Sequence, residues 1–192
     1  MNGGTWLYRH GGKRLLDLLL AVGGLFFFAL PMAWIAWRIF RKSKESPLFR
    51  QPRIGRNGTM FLIMKFRTIL SNGQPSRFCQ RLRATAMDEL PQLIHILKGE
   101  MSFVGPRPIV PEELKELHQF PSGAQRLQVR PGLAGLAQIY GPKAPSLPER
   151  LRWDLAYVDG CSLTLDVWIL LRALQITLAG AWETVRSNGH PA

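Results

Sequence analysis

The chain has 192 residues, with 25 Lys and Arg against 13 Asp and Glu, giving a formal net charge of +12. This length provides one domain with its own core, and the charge points to an anionic partner: nucleic acid, an acidic membrane surface or a phosphorylated substrate. The two cysteines and four histidines have no metal-ligand spacing, which argues against a zinc protein, and we expect Cys79 and Cys161 to be free buried thiols in a reducing compartment, with a single disulfide as the alternative.

The first predicted element is an apolar segment of 20 residues without a charge, 18–37, which is long enough to span a bilayer as a helix. Basic residues flank it on both sides: Lys13, Arg14, Arg38, Arg41, Lys42 and Lys44. Because short basic flanks prefer the cytoplasmic side, both can stay there only if the segment enters the membrane and returns on the same face.

A proline inside this segment supports the same interpretation. Pro31 removes a helix hydrogen bond, so we expect a break at Leu30-Pro31 between two half-helices. Prolines are also common in spanning helices, and from the segment alone a kinked crossing helix is supported equally well.

The next elements predict a β-hairpin around the Asn-Gly turn at 57–58. Met60–Phe66 is predicted as a strand, whereas an internal proline makes Leu48–Ile54 either an edge strand or an irregular loop. Alternation in the second strand places Lys65 and Arg67 on one face and the strand's last residue on the other. The pattern favours solvated surface for these two cations over a phosphate-facing pair.

Four further helices are predicted from apolar residues at helical spacing and from helix start and stop signals: Asp88–Leu97, Pro111–Phe120, Leu147–Val158 and Leu165–Trp182. The first of them is predicted to stop at Lys98-Gly99, and the last of them is amphipathic. Loops between them are proline-rich at 104–111, which contains Arg107, and glycine-rich at 130–141.

An acidic pair, Asp88-Glu89, stands inside this basic chain at the predicted start of a helix. One explanation is structural: acids are favoured in the first turn of a helix, and Thr85 three residues earlier resembles a capping box. The other is catalytic, because a carboxylate among cations stays ionised and can bind Mg²⁺ or attack phosphorus. Cations in turn-rich or proline-rich segments are Lys65, Arg67, Arg83, Arg107 and Arg130.

The order of the motifs resembles the bacterial sugar transferase family, the monotopic polyprenol-phosphate phosphoglycosyl transferases. The resemblance covers about residues 10 to 180, and its most specific part is the long block at 87–108. The motifs are KR at 13–14, FRQPRIGRNGTMF at 49–61, KFRT at 65–68, MDELPQLIHILKGEMSFVGPRP at 87–108, RPGLAGLAQIYG at 130–141 and YVDGCSLTLDVWIL at 157–170.

This resemblance implies an α+β fold: a mostly helical, small membrane-associated domain with a short β-hairpin and interfacial amphipathic helices. Residues 1–44 would form a re-entrant helix-break-helix hairpin with basic flanks, which favours the hairpin over the crossing helix. Residues 45–192 would form a cytoplasmic catalytic domain. Its C-terminal helix would lie at the membrane surface, where Trp168 and Trp182 would help to fix how deeply the domain sits in the interface. The break commonly reads Ser-Pro in this family, whereas this chain has Leu30-Pro31.

The resemblance also implies a reaction. The enzyme would move a sugar 1-phosphate from a UDP-sugar to undecaprenyl phosphate, release UMP and start a surface glycan. Asp88 matches the catalytic nucleophile, which would form a covalent phosphosugar intermediate and hold Mg²⁺, and Glu89 matches its partner. Residues expected at the substrates' phosphates or nucleotide are Arg83, Arg107, Lys65, Arg67, Arg130 and Gln138.

The expected location is the cytoplasmic face of the bacterial inner membrane, in contact with its lipid and without a nucleic-acid partner. The sequence does not decide between a monomer and a homodimer.

Two alternative functions are a basic, membrane-anchored nucleic-acid binder without catalysis and a non-catalytic membrane adaptor with the same fold. The interleaved carboxylates and the lack of an aromatic stacking motif weigh against nucleic acid.

Overall fold

The computed structural model describes residues 6–69, 75–141 and 146–182. This part of the chain is mostly helical with short strands, as expected for the α+β fold. The helices are α1 (Lys13–Ser43), α2 (Arg77–Ala84), α3 (Leu93–Lys98), α4 (Pro111–Leu117), α5 (Gly123–Arg126), α6 (Leu136–Tyr140), α7 (Leu147–Gly160) and α8 (Leu163–Leu178). The strands are β1 (Leu48–Ile54), β2 (Met60–Phe66), β3 (Ser102–Val104) and β4 (Gly132–Ala134).

Helix α1 follows directly on a π-helical turn, Tyr8–Gly12, and contains Pro31 without interruption. The predicted break into two half-helices at this proline is therefore not confirmed. A proline removes one intrahelical hydrogen bond, and the bonds on both sides of it persist here. The helix ends at Lys44, whose φ of 59° lies in the left-handed region.

The rest of the molecule packs along one side of α1. Ala21 is buried with Leu93 and Ile96 of α3, and further along the helix Ile35 and Ile39 are buried with residues of β2 and α2. Near its start, Arg14 donates hydrogen bonds to the carbonyls of Ile96 and Leu97 at the end of α3.

The predicted hairpin is confirmed, and the first of its strands is regular. Strands β1 and β2 pair antiparallel from Leu48 opposite Phe66 to Ile54 opposite Met60. Asn57 in the turn has a φ of 56°, which asparagine tolerates better than most residues. Phe66 is buried, on the face opposite Lys65, as the alternation predicted.

A second sheet was not predicted. Strands β3 and β4 have three residues each and pair in parallel, with Ser102 opposite Gly132 and Val104 opposite Ala134. The backbones approach so closely that a Cβ on Gly132 would lie 2.1 Å from the nitrogen of Gly105, so only glycine fits there. This contact joins the proline-rich loop to the glycine-rich loop.

The helix predicted at Asp88–Leu97 is divided in two. Met87–Gln92 is a 3₁₀-helix containing Pro91, and α3 follows it and ends at Gly99 with a φ of 83°, the predicted glycine stop. Thr85 does not form the expected capping box, because its hydroxyl donates a 2.8 Å hydrogen bond back to the carbonyl of Arg81.

Helix α8 ends earlier than predicted, at Leu178, and Trp182 is buried and donates its indole N–H to the hydroxyl of Thr177. Trp182 therefore does not provide the expected interfacial anchor, whereas Trp168 is exposed. Both cysteines are free and buried, as predicted.

Candidate functional site

The acidic pair lies in the first turn of the 3₁₀-helix that follows α2. Ala86, the residue before this turn, has a φ of 55°. A left-handed conformation costs a residue with a Cβ about 1 kcal/mol or more. This strained connection turns the chain so that Asp88 and Glu89 are both buried, with 3% and 8% of their surface exposed. The pair is therefore held inside the molecule instead of on a solvated helix end.

Cations surround these carboxylates. Arg107 lies 3.5 Å from a carboxylate oxygen of Glu89. Burial lowers the pKa of Lys65 on β2, while the nearby Asp88 carboxylate opposes that shift. Arg107 and Arg53 repel the Lys65 charge, and Glu89 attracts it. The structure thus brings two predicted phosphate ligands, Lys65 and Arg107, to the acidic pair.

Arg53 belongs to the same group of charges, although the sequence pattern did not predict this. Burial, with repulsion from Arg107, lowers its pKa to about 10. Its guanidinium donates a 3.0 Å hydrogen bond to the carbonyl of Pro108. The hairpin register could have identified it: Phe49 pairs with Lys65, so alternation puts Arg53 and Lys65 on one face of the sheet.

A buried ion pair supports the loop that carries Arg107. Arg126 on α5 and Asp154 on α7 are almost fully buried, and their side chains approach to 2.6 Å. The Arg126 guanidinium also donates a hydrogen bond to the backbone carbonyl of Arg107. Arg126 and Arg53 therefore hold two successive carbonyls of the proline-rich loop, those of Arg107 and Pro108.

Two other candidate arginines belong to α2 and to the segment after β2. Arg83, half-buried, is on the last turn of α2, five residues before Asp88. Arg67 follows β2, donates a 3.0 Å hydrogen bond to the carbonyl of Ser46 and lies 3.5 Å from Glu45. The contacts of Arg67 are thus with the segment after α1 and not with the acidic pair.

Arg130 is located at the end of α3, where it donates a 2.8 Å hydrogen bond to the carbonyl of Gly99. Burial, with repulsion from Arg14 and Arg56, lowers its pKa. The structure therefore does not bring Arg130 to Asp88.

Gln138 lies on α6, and its buried side-chain oxygen has no hydrogen-bond partner among the described residues. A Cβ on Gly135 would lie 3.4 Å from this oxygen and 2.5 Å from the carbonyl of Gly105. Gln138 is thus next to the loop that leads to Arg107, and its side-chain oxygen is a buried acceptor without a partner among the described residues.

The acidic pair suits a hard cation. Across residues 6–69, 75–141 and 146–182 no three His, Cys, Asp or Glu side chains come together as a metal cluster. Mg²⁺ is commonly held by one or two carboxylates, with phosphates and water completing its shell. Two adjacent buried carboxylates therefore fit Mg²⁺ that arrives with a phosphorylated substrate, and they do not fit a site made of protein ligands alone.

The described part of the chain contains one helix, Tyr8–Ser43, that is long and apolar enough to cross a membrane. Its outward side is strongly apolar, with Phe26, Phe27 and Leu30 at least 75% exposed. On α8 a second apolar stripe is exposed: Leu163, Val167, Trp168, Leu171, Leu174 and Leu178. Exposed apolar surface on this scale marks an interaction with lipid or protein.

Comparison with known proteins gives a family. Residues 8–180 match the profile described as "Bacterial sugar transferase". The chain is 35% identical over 181 residues to the UDP-glucose:undecaprenyl-phosphate glucose-1-phosphate transferase of Caulobacter vibrioides, covering 84% of this chain and 68% of that protein. It is 35% identical over 192 residues to the exopolysaccharide production protein ExoY of Sinorhizobium fredii, covering 84% and 83%.

A third relative carries a different sugar in its name. The UDP-N-acetylgalactosamine-undecaprenyl-phosphate N-acetylgalactosaminephosphotransferase of Aeromonas hydrophila is 33% identical over 188 residues, covering 88% of this chain and 44% of that protein. The chain thus spans less than half the length of several relatives that it matches. The profile match extends over nearly all of the described residues, including both sheets and the acidic pair, and the chain belongs to the bacterial sugar transferase family.

Proposed function

We propose that this protein transfers a sugar 1-phosphate from a UDP-sugar to undecaprenyl phosphate and so starts a surface glycan. The observation that carries the proposal is the buried Asp88-Glu89 pair, enclosed by cations, within a member of the sugar transferase family. Relatives named as undecaprenyl-phosphate transferases and as an exopolysaccharide production protein support the substrates and the product class. Family membership also favours this activity over nucleic-acid binding.

In the proposed first step, a carboxylate oxygen of Asp88 attacks the β-phosphorus of the UDP-sugar. The bond between this phosphorus and the oxygen that bridges to the α-phosphate breaks, and UMP leaves with that oxygen. The product is a phosphosugar covalently bound to the aspartate.

In the second step, an oxygen of undecaprenyl phosphate attacks the same phosphorus. The bond to Asp88 breaks, and the carboxylate is restored. Each step exchanges one phosphorus–oxygen bond for another, so no oxidant or further reactant is needed.

The cations perform the work that phosphoryl transfer requires, which is mainly positioning and neutralising charge. Lys65 and Arg107 are close enough to the acidic pair to face the donor's phosphates, and Arg53 adds to the same field. Arg83, Arg67, Arg130 and Gln138 remain proposed substrate ligands, of which Gln138 has the free buried acceptor.

Asp88 is the proposed Mg²⁺ ligand, with Glu89 beside it. When bound, Mg²⁺ would neutralise charge on the substrates' phosphates. Glu89, paired with Arg107, would hold that arginine and accept or release a proton at the lipid phosphate.

The proposed location is the cytoplasmic face of the inner membrane, with both ends of α1 on that face and its apolar middle part inserted into the membrane from there. Contacts at both ends of α1 support it: Lys13 pairs with Asp166 of α8, and Arg38 stacks on Phe78 of α2 at 4.4 Å. A crossing helix would have to separate these two contacts by a bilayer. The apolar stripe of α8 would rest at the membrane surface.

The direct test is to incubate the purified protein with undecaprenyl phosphate and each of a panel of UDP-sugars, with UMP as the readout. We expect UMP and a lipid-linked diphosphate sugar with at least one donor, and none without Mg²⁺. Absence of UMP with every donor, in a protein that is folded and bound to membranes, would reject the proposal.

A further inference from the structure

A groove of about 860 Å³ opens between the C-terminal half of α1 and helix α2, outside the acidic pair. Its α1 wall includes Leu30, Pro31 and Trp34, and its α2 wall includes Phe78 and Leu82. The mechanism proposed above uses none of these residues.

One end of this groove is basic. Arg38, Arg77 and Arg81 line it, and an adjoining cavity of about 400 Å³ adds Lys42 beside Arg38 and Arg77. Arg38 lies against two aromatic rings, 5.2 Å from the centre of Trp34 and 4.4 Å from that of Phe78. These contacts fix one guanidinium at the point where the two cavities meet.

The other end of the groove is apolar and opens onto the exposed apolar side of α1. Leu30 is 83% exposed there and continues the apolar surface of Phe26 and Phe27. Eight residues of helix, about 12 Å, separate Leu30 from Arg38. The groove therefore has the shape and polarity of an amphiphile: an anionic head at one end and a hydrocarbon chain at the other.

We infer that this groove binds an anionic phospholipid of the bilayer, with its phosphate at Arg38, Arg77 and Arg81 and an acyl chain along Leu30, Pro31 and Trp34. The inference depends on the membrane placement of α1 in the proposed function. A bound lipid would join α1 to α2, which leads directly into the strained turn before Asp88. Anionic lipid would therefore favour the arrangement of the acidic pair that the structure shows.

The acceptor lipid fits this groove less well than a phospholipid does. Its phosphate has to reach the acidic pair, but the groove's cations gather at the end where α2 begins. The residues of the groove closest in sequence to Asp88 are Thr85 and Met87, which provide no cation there.

The test compares lipid retention by native mass spectrometry of the full chain in detergent, with equimolar phosphatidylglycerol and phosphatidylcholine offered. We expect the wild type to retain phosphatidylglycerol in preference. The double variant Arg77→Gln/Arg81→Gln should reduce that preference by about tenfold or more, since each basic residue near an anionic headgroup contributes. Both arginines are exposed, so the variant should fold.

The matched control is Lys115→Gln/Arg152→Gln, which removes two exposed positive charges that do not line the groove. It should keep the wild-type preference. Equal loss in both variants, or no loss in the groove variant, would overturn the inference. Displacement of phosphatidylglycerol by equimolar undecaprenyl phosphate would assign the groove to the acceptor instead and would also overturn it.

Two further measurements separate this inference from the proposed function. Flotation with phosphatidylcholine vesicles tests whether the protein associates with a bilayer, and UMP release tests the reaction. A protein that floats and releases UMP but shows no lipid preference would contradict the lipid site alone. A protein that does neither would contradict the proposed function.

Discussion

At the scale of single residues, the proposed chemistry requires Asp88 to act as a carboxylate anion although its side chain is buried. Burial of a carboxylate favours the protonated acid, whereas a neighbouring cation such as Lys65 favours the anion. An ionised Asp88 can act as a nucleophile or bind a metal, and a protonated one can do neither well. In the proposed mechanism, the cations therefore act on the carboxylate as well as on the substrates' phosphates.

Replacing the proposed nucleophile should stop the reaction without unfolding the protein. Asp88→Asn is expected to reduce UMP release by about 10⁴-fold or more, since the amide cannot form the phosphorus ester. Glu89→Gln should also reduce it strongly. Glu112→Gln, at an exposed acid of α4, is the control and should retain activity. Full turnover by Asp88→Asn would reject its role as the nucleophile.

Lys65 gives a pH dependence whose sign follows from its surroundings. Burial lowers its pKa below the ordinary value of 10.5, so it loses its charge earlier than a free lysine as the pH rises. As the pH rises, we therefore expect kcat/KM for the donor to begin to fall at a pH below 10.5, the ordinary pKa of lysine. Lys65→Arg, which stays charged, should move this decrease to higher pH. Identical alkaline profiles for the two proteins would show that another group is responsible.

The sequence predicted the acidic pair and two of its cations because motifs preserve residue type and order. It could not tell which other arginines share the site. Arg130 and Arg67 lie in segments as rich in turns as the one holding Arg107, yet they bind backbone carbonyls elsewhere. Arg53 was overlooked because its place depends on the register of the hairpin, which a pattern in one strand does not fix.

At the scale of secondary-structure elements, the proline-rich loop is the least self-supporting part of the site. It has no long helix or strand of its own, and Arg126 holds it through the Arg107 carbonyl. Arg126 in turn is neutralised by Asp154, which lies on the separate helix α7. The position of Arg107 therefore depends on the packing of α5 against α7.

Removing one member of that buried pair should be costly. Arg126→Met leaves Asp154 buried without its cation, and we expect a loss of about 3–5 kcal/mol in the free energy of unfolding. Denaturant unfolding in detergent measures it. The double variant Arg126→Met/Asp154→Leu should recover most of the loss, because no charge is left buried alone.

The control for this pair is Arg152→Met, at an exposed arginine of α7, the helix that carries Asp154. This variant should change the free energy of unfolding by about 0.5 kcal/mol or less. If Arg126→Met is equally mild, the ion pair does not support the loop in the way proposed here.

Local signals predicted some elements well. The Asn-Gly turn predicted the hairpin, and Lys98-Gly99 predicted the end of α3. Strands β3 and β4 were missed because three residues carry no periodicity, and their pairing joins segments about 30 residues apart. The expected break of α1 rested on Pro31, on the basic flanks and on the family resemblance, but a proline weakens a helix without always ending it.

At the scale of the whole molecule, two apolar surfaces are fixed relative to one another. Asp166 on α8 accepts hydrogen bonds from Tyr8 and Tyr157 and pairs with Lys13. This buried network ties the start of α1 to α8. The exposed apolar sides of both helices can therefore meet one membrane together.

The length of α1 makes the placement testable. Its 36 residues, including the π-helical turn, extend for about 54 Å, well beyond the ~30 Å of a bilayer core. We expect both ends on the cytoplasmic side, because both contact the same domain. Single cysteines at His10 and Lys42, both exposed, should resist a membrane-impermeant thiol reagent in intact cells and react after lysis. The buried native thiols should add little background.

Reaction of one of these cysteines and protection of the other in intact cells would contradict the same-side placement. It would instead support a kinked helix that crosses the bilayer, the alternative that the apolar segment alone leaves open.

The most direct test of the central claim is mass spectrometry of the enzyme incubated with its UDP-sugar and Mg²⁺ in the absence of undecaprenyl phosphate. We predict a peptide containing Asp88 that is heavier by one sugar phosphate, and its return to the original mass when the lipid acceptor is added. An unmodified Asp88 peptide, found under conditions in which the complete reaction produces UMP, would contradict the covalent mechanism.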